Sequence, residues 1–156
     1  MKNLEMRNLE MNTPNQKVLL VEDSKFLRLM NERALTRAGY QVNTAADGEE
    51  ALLVAQAKLP DVILLDMMLP KLSGPEVLRR LKENPATADI PVIVLTSLSQ
   101  KNEERLLQEG AAAYFEKSTL DLDKNSDRLA ATVATILSRF RRPVTSAGGL
   151  RASAIE

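Results

Sequence analysis

Asp66 closes a run of four aliphatic residues, Val62 to Leu65, and is followed by Met67, Met68, Leu69 and Pro70. A carboxylate set against so much hydrocarbon either opens to water where a strand ends or is held at the mouth of a site. The same pattern recurs along the chain. "KVLLVED" ends in Glu22 and Asp23, "PVIVLTS" ends in Thr96 and Ser97, and "AAYFEK" ends in Lys117. Brought together, three carboxylates would repel one another and raise each other's pKa values. An all-oxygen donor set suits a hard divalent cation, Mg2+ or Mn2+. The lysine adds a fixed positive charge, and metal and ammonium together would neutralise the oxygens of a phosphoryl group in transfer. The threonine hydroxyl is a neutral donor for a further oxygen. One carboxylate is then free to act as a nucleophile, and Asp66, on the expected central strand, is the candidate.

Composition narrows the chemistry further. The 156 residues include no Cys and no His. Disulfides, thiol catalysis and thiolate zinc sites are thereby excluded. So are histidine triads, histidine metal ligands and the commonest general base near neutral pH. Basic and acidic residues number 21 each, so net charge steers the chain toward neither nucleic acid nor an anionic membrane. No apolar run reaches the ~18 residues of a membrane span, and the N-terminus lacks a signal-peptide core. The expectation is a cytoplasmic protein of one domain with an aliphatic core, since aromatics are only 3%.

Those strand ends need a scaffold. Short apolar runs at 17–23, 40–45, 62–66, 91–97 and 112–117 read as strands. Between them lie helical patterns. Ser24 is a candidate cap for a helix with Phe26, Leu27, Met30, Ala34 and Ala38 on one face, stopped at Gly39. Asp47 with Glu50, and Ser73 with Glu76, have the spacing of capping boxes, with Pro60 ending one helix and Pro75 in the first turn of the next. "SQKNEERLLQEG" is a charged, exposed helix. The last, from Asp123, carries Leu129, Val133, Ile136, Leu137 and Phe140 on one face. Strict alternation with continuously apolar central strands predicts an α/β fold, a doubly wound parallel sheet with helices on both faces. In such sheets ligands bind beyond the carboxyl ends of the strands, where the candidate residues sit. Residues 1–16, with the tandem "KNLEM" and "RNLEM", read as a poorly ordered leader or a short pairing helix. Residues 17–142 read as the folded domain and 143–156 as a disordered tail.

From about Lys17 to Phe140 the sequence closely resembles the receiver domain of bacterial two-component response regulators. "LLVEDS" is similar to the family's acidic-pair motif and "DVILLDMMLPKLSGPEVL" to its phosphoacceptor segment. "PVIVLTS" is similar to the Thr/Ser motif and "GAAAYFEK" to the aromatic and lysine motif. The resemblance implies the flavodoxin-like strand order 2-1-3-4-5. It implies that a histidine kinase or phosphotransfer protein phosphorylates Asp66. Mg2+ would be held by Asp23 directly, by Glu22 through water, by Asp66 and by the Met68 backbone carbonyl. Lys117 would pair with the phosphoryl oxygens. Thr96 would move toward the phosphoryl group and let Tyr114 turn inward, changing the face of the fourth helix, fifth strand and fifth helix where a downstream protein docks. The protein would catalyse only its own phosphorylation and dephosphorylation. A chain without histidine cannot carry its own phosphohistidine, so the donor is another protein or a small acyl phosphate.

Several positions depart from the family pattern. Ser118 follows Lys117 where the family commonly has Pro, often with a cis bond. A non-proline cis bond costs roughly 3 kcal/mol, so this loop either goes trans or absorbs strain. Met68 and Leu98, two positions after Asp66 and Thr96, are apolar where they flank the path of an attacking water, which implies slow dephosphorylation. Two rival readings differ in class. A phosphatase of the haloacid dehalogenase type needs a second Asp two residues after the first, where this chain has Met68. A degenerate receiver would serve as a non-switching interaction module. No helix-turn-helix follows Phe140, so the sequence reads as a stand-alone receiver, a monomer or weak homodimer. A receiver fragment of a longer regulator would read the same.

Overall fold

Five strands alternate with five helices in the computed structural model, which describes residues 16–96, 103–117 and 122–140. The strands are β1 Lys17–Val21, β2 Gln41–Ala45, β3 Val62–Asp66, β4 Val92–Thr96 and β5 Ala113–Glu116. The helices are α1 Lys25–Arg37, α2 Gly48–Lys58, α3 Gly74–Glu83, α4 Glu103–Gln108 and α5 Leu122–Phe140. All strand pairs are parallel, in the order β2-β1-β3-β4-β5, as the sequence predicts. β3 is central, and all five of its residues are buried.

Strand side chains alternate between the two faces. Leu19, Val21, Ile63, Leu65, Val92 and Val94 point to one side, where Ala51 and Ala55 of α2 and Val77, Leu78 and Leu81 of α3 cover them. Val18, Leu20, Val62, Leu64, Ile93 and Leu95 point to the other, against Leu35 of α1 and Leu129, Val133, Ile136 and Leu137 of α5. Covering both faces is what makes the central strands apolar without alternation. Between α1 and α5 one buried polar pair, Ser126 Oγ donating to Asn31 Oδ1 at 2.8 Å, sets the register.

The helix starts follow the expected caps, with differences in detail. Ser24, Asp47 and Ser73 each accept a hydrogen bond from the third residue of their helix. The reciprocal half of the capping boxes is not made as expected. Glu50 takes the Ala46 N–H at 2.8 Å, and both Glu76 oxygens are drawn off by Arg79 and Arg80. Two aromatic assignments are also corrected. Phe26 is 61% exposed and Phe140 50% exposed. α1 is rotated so that Asn31, Ala34 and Leu35 face inward, and Phe140 is the last residue of α5. The helix expected from Ser99 is described only from Glu103, and the leader and tail lie outside the described residues.

The rotation of α1 predicts a sharp contrast. Leu35→Ala, at a fully buried position, should lower the unfolding free energy by about 2–5 kcal/mol. Phe26→Ala should change it by less than about 0.5–1 kcal/mol. Urea unfolding curves of the two variants compared with wild type check both values.

Candidate functional site

The strand order brings the carboxyl ends of β1, β3 and β4 side by side. Glu22 extends β1 by one residue, its N–H donating to the Ala45 carbonyl at 3.0 Å. That pairing turns its side chain inward, and Glu22 is fully buried. Its Oε2 accepts the Ser24 N–H at 3.1 Å. Its Oε1 is buried and accepts no hydrogen bond, with the Lys117 ammonium 3.0 Å away as an ion-pair partner. Asp23, one residue on, is exposed. The guanidinium of Arg28 reaches back from α1 to the carbonyls of Glu22 and Asp23, at 2.8 and 3.4 Å, and fastens the turn that carries the acid pair.

Asp66 is 1% exposed, so it is held within a site and does not open to water. Its Oδ1 accepts the Met68 N–H at 3.0 Å, and its Oδ2 accepts from Lys117 Nζ at 3.1 Å. The Met67 N–H continues the ladder to Leu95 at 3.0 Å, which keeps Asp66 aligned with the sheet. Lys117 is aligned in turn by its own N–H, which donates to the Thr96 carbonyl at 2.7 Å. Gly74 completes the floor. A Cβ there would lie 2.5 Å from Met67 Cα and 2.6 Å from the Asp66 carbonyl oxygen, so the start of α3 meets this backbone directly. Carboxylate oxygens of Glu22, Asp23 and Asp66 lie within 4.8 Å of one another, the spacing of a metal site.

Charge in this cluster is unevenly balanced. Burial, then the Asp66 charge, pushes the Glu22 carboxyl above its ordinary value, against the opposing pull of the Ser24 N–H and Lys117. Burial alone would lower Lys117, but Glu22 and Asp66 outweigh it and hold the ammonium above the usual lysine range. Three carboxylates facing one ammonium leave negative charge over, which a divalent cation would cancel.

The remaining candidates are placed as follows. Thr96 is half-buried at the end of β4, opposite Glu116 of β5. Tyr114 is half-buried on β5 and packs on the core face covered by α2 and α3. Met68 is 63% exposed on the loop beyond Asp66. Ser97, Leu98 and the Lys117–Ser118 bond lie outside the described residues. Sequence reasoning missed Arg28 and the Ser24 N–H. A basic residue one turn after an acid pair is their only trace, and it is too common to read alone.

The model of the response regulator receiver domain matches residues 18–129. The chain belongs to this family. Over 109 residues, 69% of its length, this receiver is 47% identical to a gliding motility regulatory protein of Myxococcus xanthus, spanning 14% of that protein. It is 36% identical over 131 residues, 83% of its length, to the phosphate regulon transcriptional regulatory protein PhoB of Rhizobium meliloti, spanning 56% of that protein. The receiver therefore spans about half or less of these curated relatives. Among solved structures, the Francisella response regulator 1452 receiver domain superposes with a TM-score of 0.71 at 30% identity, covering 81% of this chain and all of that one. The chemotaxis response regulator CheY4 of Vibrio cholerae also gives 0.71, at 32% identity, covering 78% of this chain and 98% of that one. No helix among the described residues is long and apolar enough to cross a membrane.

The strained Glu22 gives a test with a definite sign. Its folded pKa lies above its unfolded value of 4.5, so the ionised form opposes folding. That cost is absent below the unfolded value and develops as pH rises through the folded one. Glu22→Gln in metal-free buffer at neutral pH should therefore raise Tm, by about 3 °C per kcal/mol relieved. The gain over wild type should shrink as pH falls toward the ordinary carboxylate range. Paired thermal melts with EDTA across that range check it.

Proposed function

We propose that this receiver accepts a phosphoryl group on Asp66 from the phosphohistidine of a sensor kinase or phosphotransfer protein, in a Mg2+-dependent step. The observation that carries this reading is Lys117 Nζ placed between Asp66 Oδ2 at 3.1 Å and Glu22 Oε1 at 3.0 Å, inside the three-carboxylate cluster. The donor set fits a hard cation. It is all oxygen, it carries excess negative charge, and it includes a buried carboxylate oxygen with no hydrogen bond. Glu22, Asp23, Asp66 and the Met68 carbonyl would hold Mg2+, or Mn2+ in its place. When bound, the ion supplies a Lewis acid that draws charge from the phosphoryl oxygens.

An Asp66 carboxylate oxygen forms the new bond to phosphorus as the bond to the donor imidazole breaks, leaving an acyl phosphate. The Met68 N–H orients the acceptor carboxylate, and Lys117 is released from it to meet the phosphoryl charge. Thr96, joined to Lys117 through its carbonyl, follows that charge and frees room for Tyr114 to turn inward. The α4–β5–α5 face then presents a changed surface to a downstream protein. The charge balance of the chain favours a protein target over nucleic acid, and its setting would be the cytoplasm.

Incubation with acetyl phosphate and Mg2+, followed by intact mass, tests the reading. A gain of one phosphoryl group is expected, lost on chelation and absent in Asp66→Ala. No gain in folded wild type, with acetyl phosphate or with a panel of kinases, would sink it. The exposed, apolar Met68 stands where a polar side chain could position an attacking water. Met68→Asn and Leu98→Glu should each shorten the phosphoryl lifetime several-fold, and unchanged decay by mass or phosphate release would count against that role.

A further inference from the structure

The loop from Met67 to Ser73 determines where the Met68 N–H meets Asp66, and it is held in an unusual way. At its far corner the Leu72 N–H donates to the Pro70 carbonyl at 2.7 Å, closing a γ-turn across Lys71. Lys71 has φ of 68°, one of two non-glycine residues with positive φ among those described. This is the rare, strained form of the turn, and an L residue adopts it only where its surroundings hold it there. Two contacts do so. One is steric. Gly48, the first residue of α2, lies so close that a Cβ would come within 2.3 Å of the Leu72 carbonyl oxygen and 2.8 Å of Val77 Cγ2. The other is electrostatic. Lys71 Nζ lies 3.5 Å from Oδ2 of Asp47, the N-cap of α2. The division of labour on Asp47 is clean. Its Oδ1 takes the Glu50 N–H at 2.8 Å, leaving Oδ2 for the lysine. The Glu50 N–H, with help from Lys71, also holds this carboxyl below the usual range.

We infer that Lys71 and Asp47 are positioning residues for the phosphoacceptor. Their ion pair ties the loop after β3 to the start of α2 and keeps the Met68 N–H on Asp66 Oδ1, so that Asp66 presents a fixed geometry to the metal and the phosphoryl donor. Neither touches the reacting atoms. Lys71 is 61% exposed, so the pair adds little to global stability. Its effect falls on the population of loop conformers that can bind the metal. This inference rests on the proposed phosphoacceptor role of Asp66.

The test is Mg2+ affinity by titration calorimetry on the full chain, with the acetyl phosphate labelling rate as a second readout. Lys71→Ala removes the ammonium but leaves the strained backbone to an L residue. Asp47→Asn removes the charge but keeps a good helix cap. Each should raise the Mg2+ Kd about two- to fivefold, the range of an exposed ion pair. Labelling should slow in parallel, with Tm nearly unchanged. The double variant should lose no more than either single one, and Lys71→Arg should restore wild-type affinity. Unchanged Kd in the single variants, additive losses in the double variant, or failure of Arg to rescue would each overturn the positioning role. Wild type that binds Mg2+ and takes up phosphoryl while the variants match it sinks only this inference. Wild type that does neither sinks the proposed function as well.

Discussion

The site depends on three carboxylates forced together around one ammonium. Glu22 and Asp66 are both out of water, and each would be strongly disfavoured there as an ion without a partner. Lys117 makes the pair tolerable but cannot neutralise it together with Asp23. The folded, metal-free protein therefore keeps an electrostatic tension at one edge of its sheet. Burial and repulsion raise the Glu22 carboxyl, while two acids hold the Lys117 charge in place despite burial. A cluster of this kind responds strongly to any added positive or phosphoryl charge, because the buried carboxylates of Glu22 and Asp66 are little screened by water.

Elsewhere the fold supplies the rigidity that makes such a cluster sustainable. β1 and β3 are adjacent central strands, and their parallel register places Glu22 and Asp66 at the same level of the sheet. Helices packed on both faces leave neither strand freedom to slide, since a slip would undo the close packing of every aliphatic side chain against them. The backbone beyond each strand is then fastened separately. Arg28 and the Ser24 N–H hold the acid turn, Leu95 and Gly74 hold the start of the loop after β3, and the Thr96 carbonyl holds Lys117. Polar contacts on short turns thus convert strand register into side-chain geometry.

Much of this was legible in the sequence because it follows from local rules. Runs such as Val62–Leu65 and Val92–Leu95 are apolar at every position, which only a sheet covered on both faces explains. Ser24, Asp47 and Ser73 cap their helices because a short oxygen-bearing side chain before a helical stretch has few better partners than the free N–H groups next to it. The reading failed where one side chain had competing partners, or where the choice depended on neighbours distant in sequence. Glu76 fits a capping box by spacing, but Arg79 and Arg80 compete for its oxygens with charge. Phe26 fits a helical stripe by spacing, but α1 turns the Asn31 and Leu35 side inward to meet α5 and the sheet.

By itself the sequence determined the fold class, the family to which the chain belongs and the residue types available at the strand ends. The fold class follows from period and order along the chain and the family from the resemblance of its motifs, all of which are one-dimensional. Only the tertiary structure decided that Glu22 is buried while Asp23 faces solvent, that Lys117 meets both Asp66 and Glu22, and that a strained turn at Lys71 is tied to Asp47. The last two pair residues from different strand–helix units, and Glu22 is turned inward by its pairing to Ala45 of β2 and its contact with Lys117 beyond β5. Their distances are set by strand order, register and packing, which no local stretch of sequence contains.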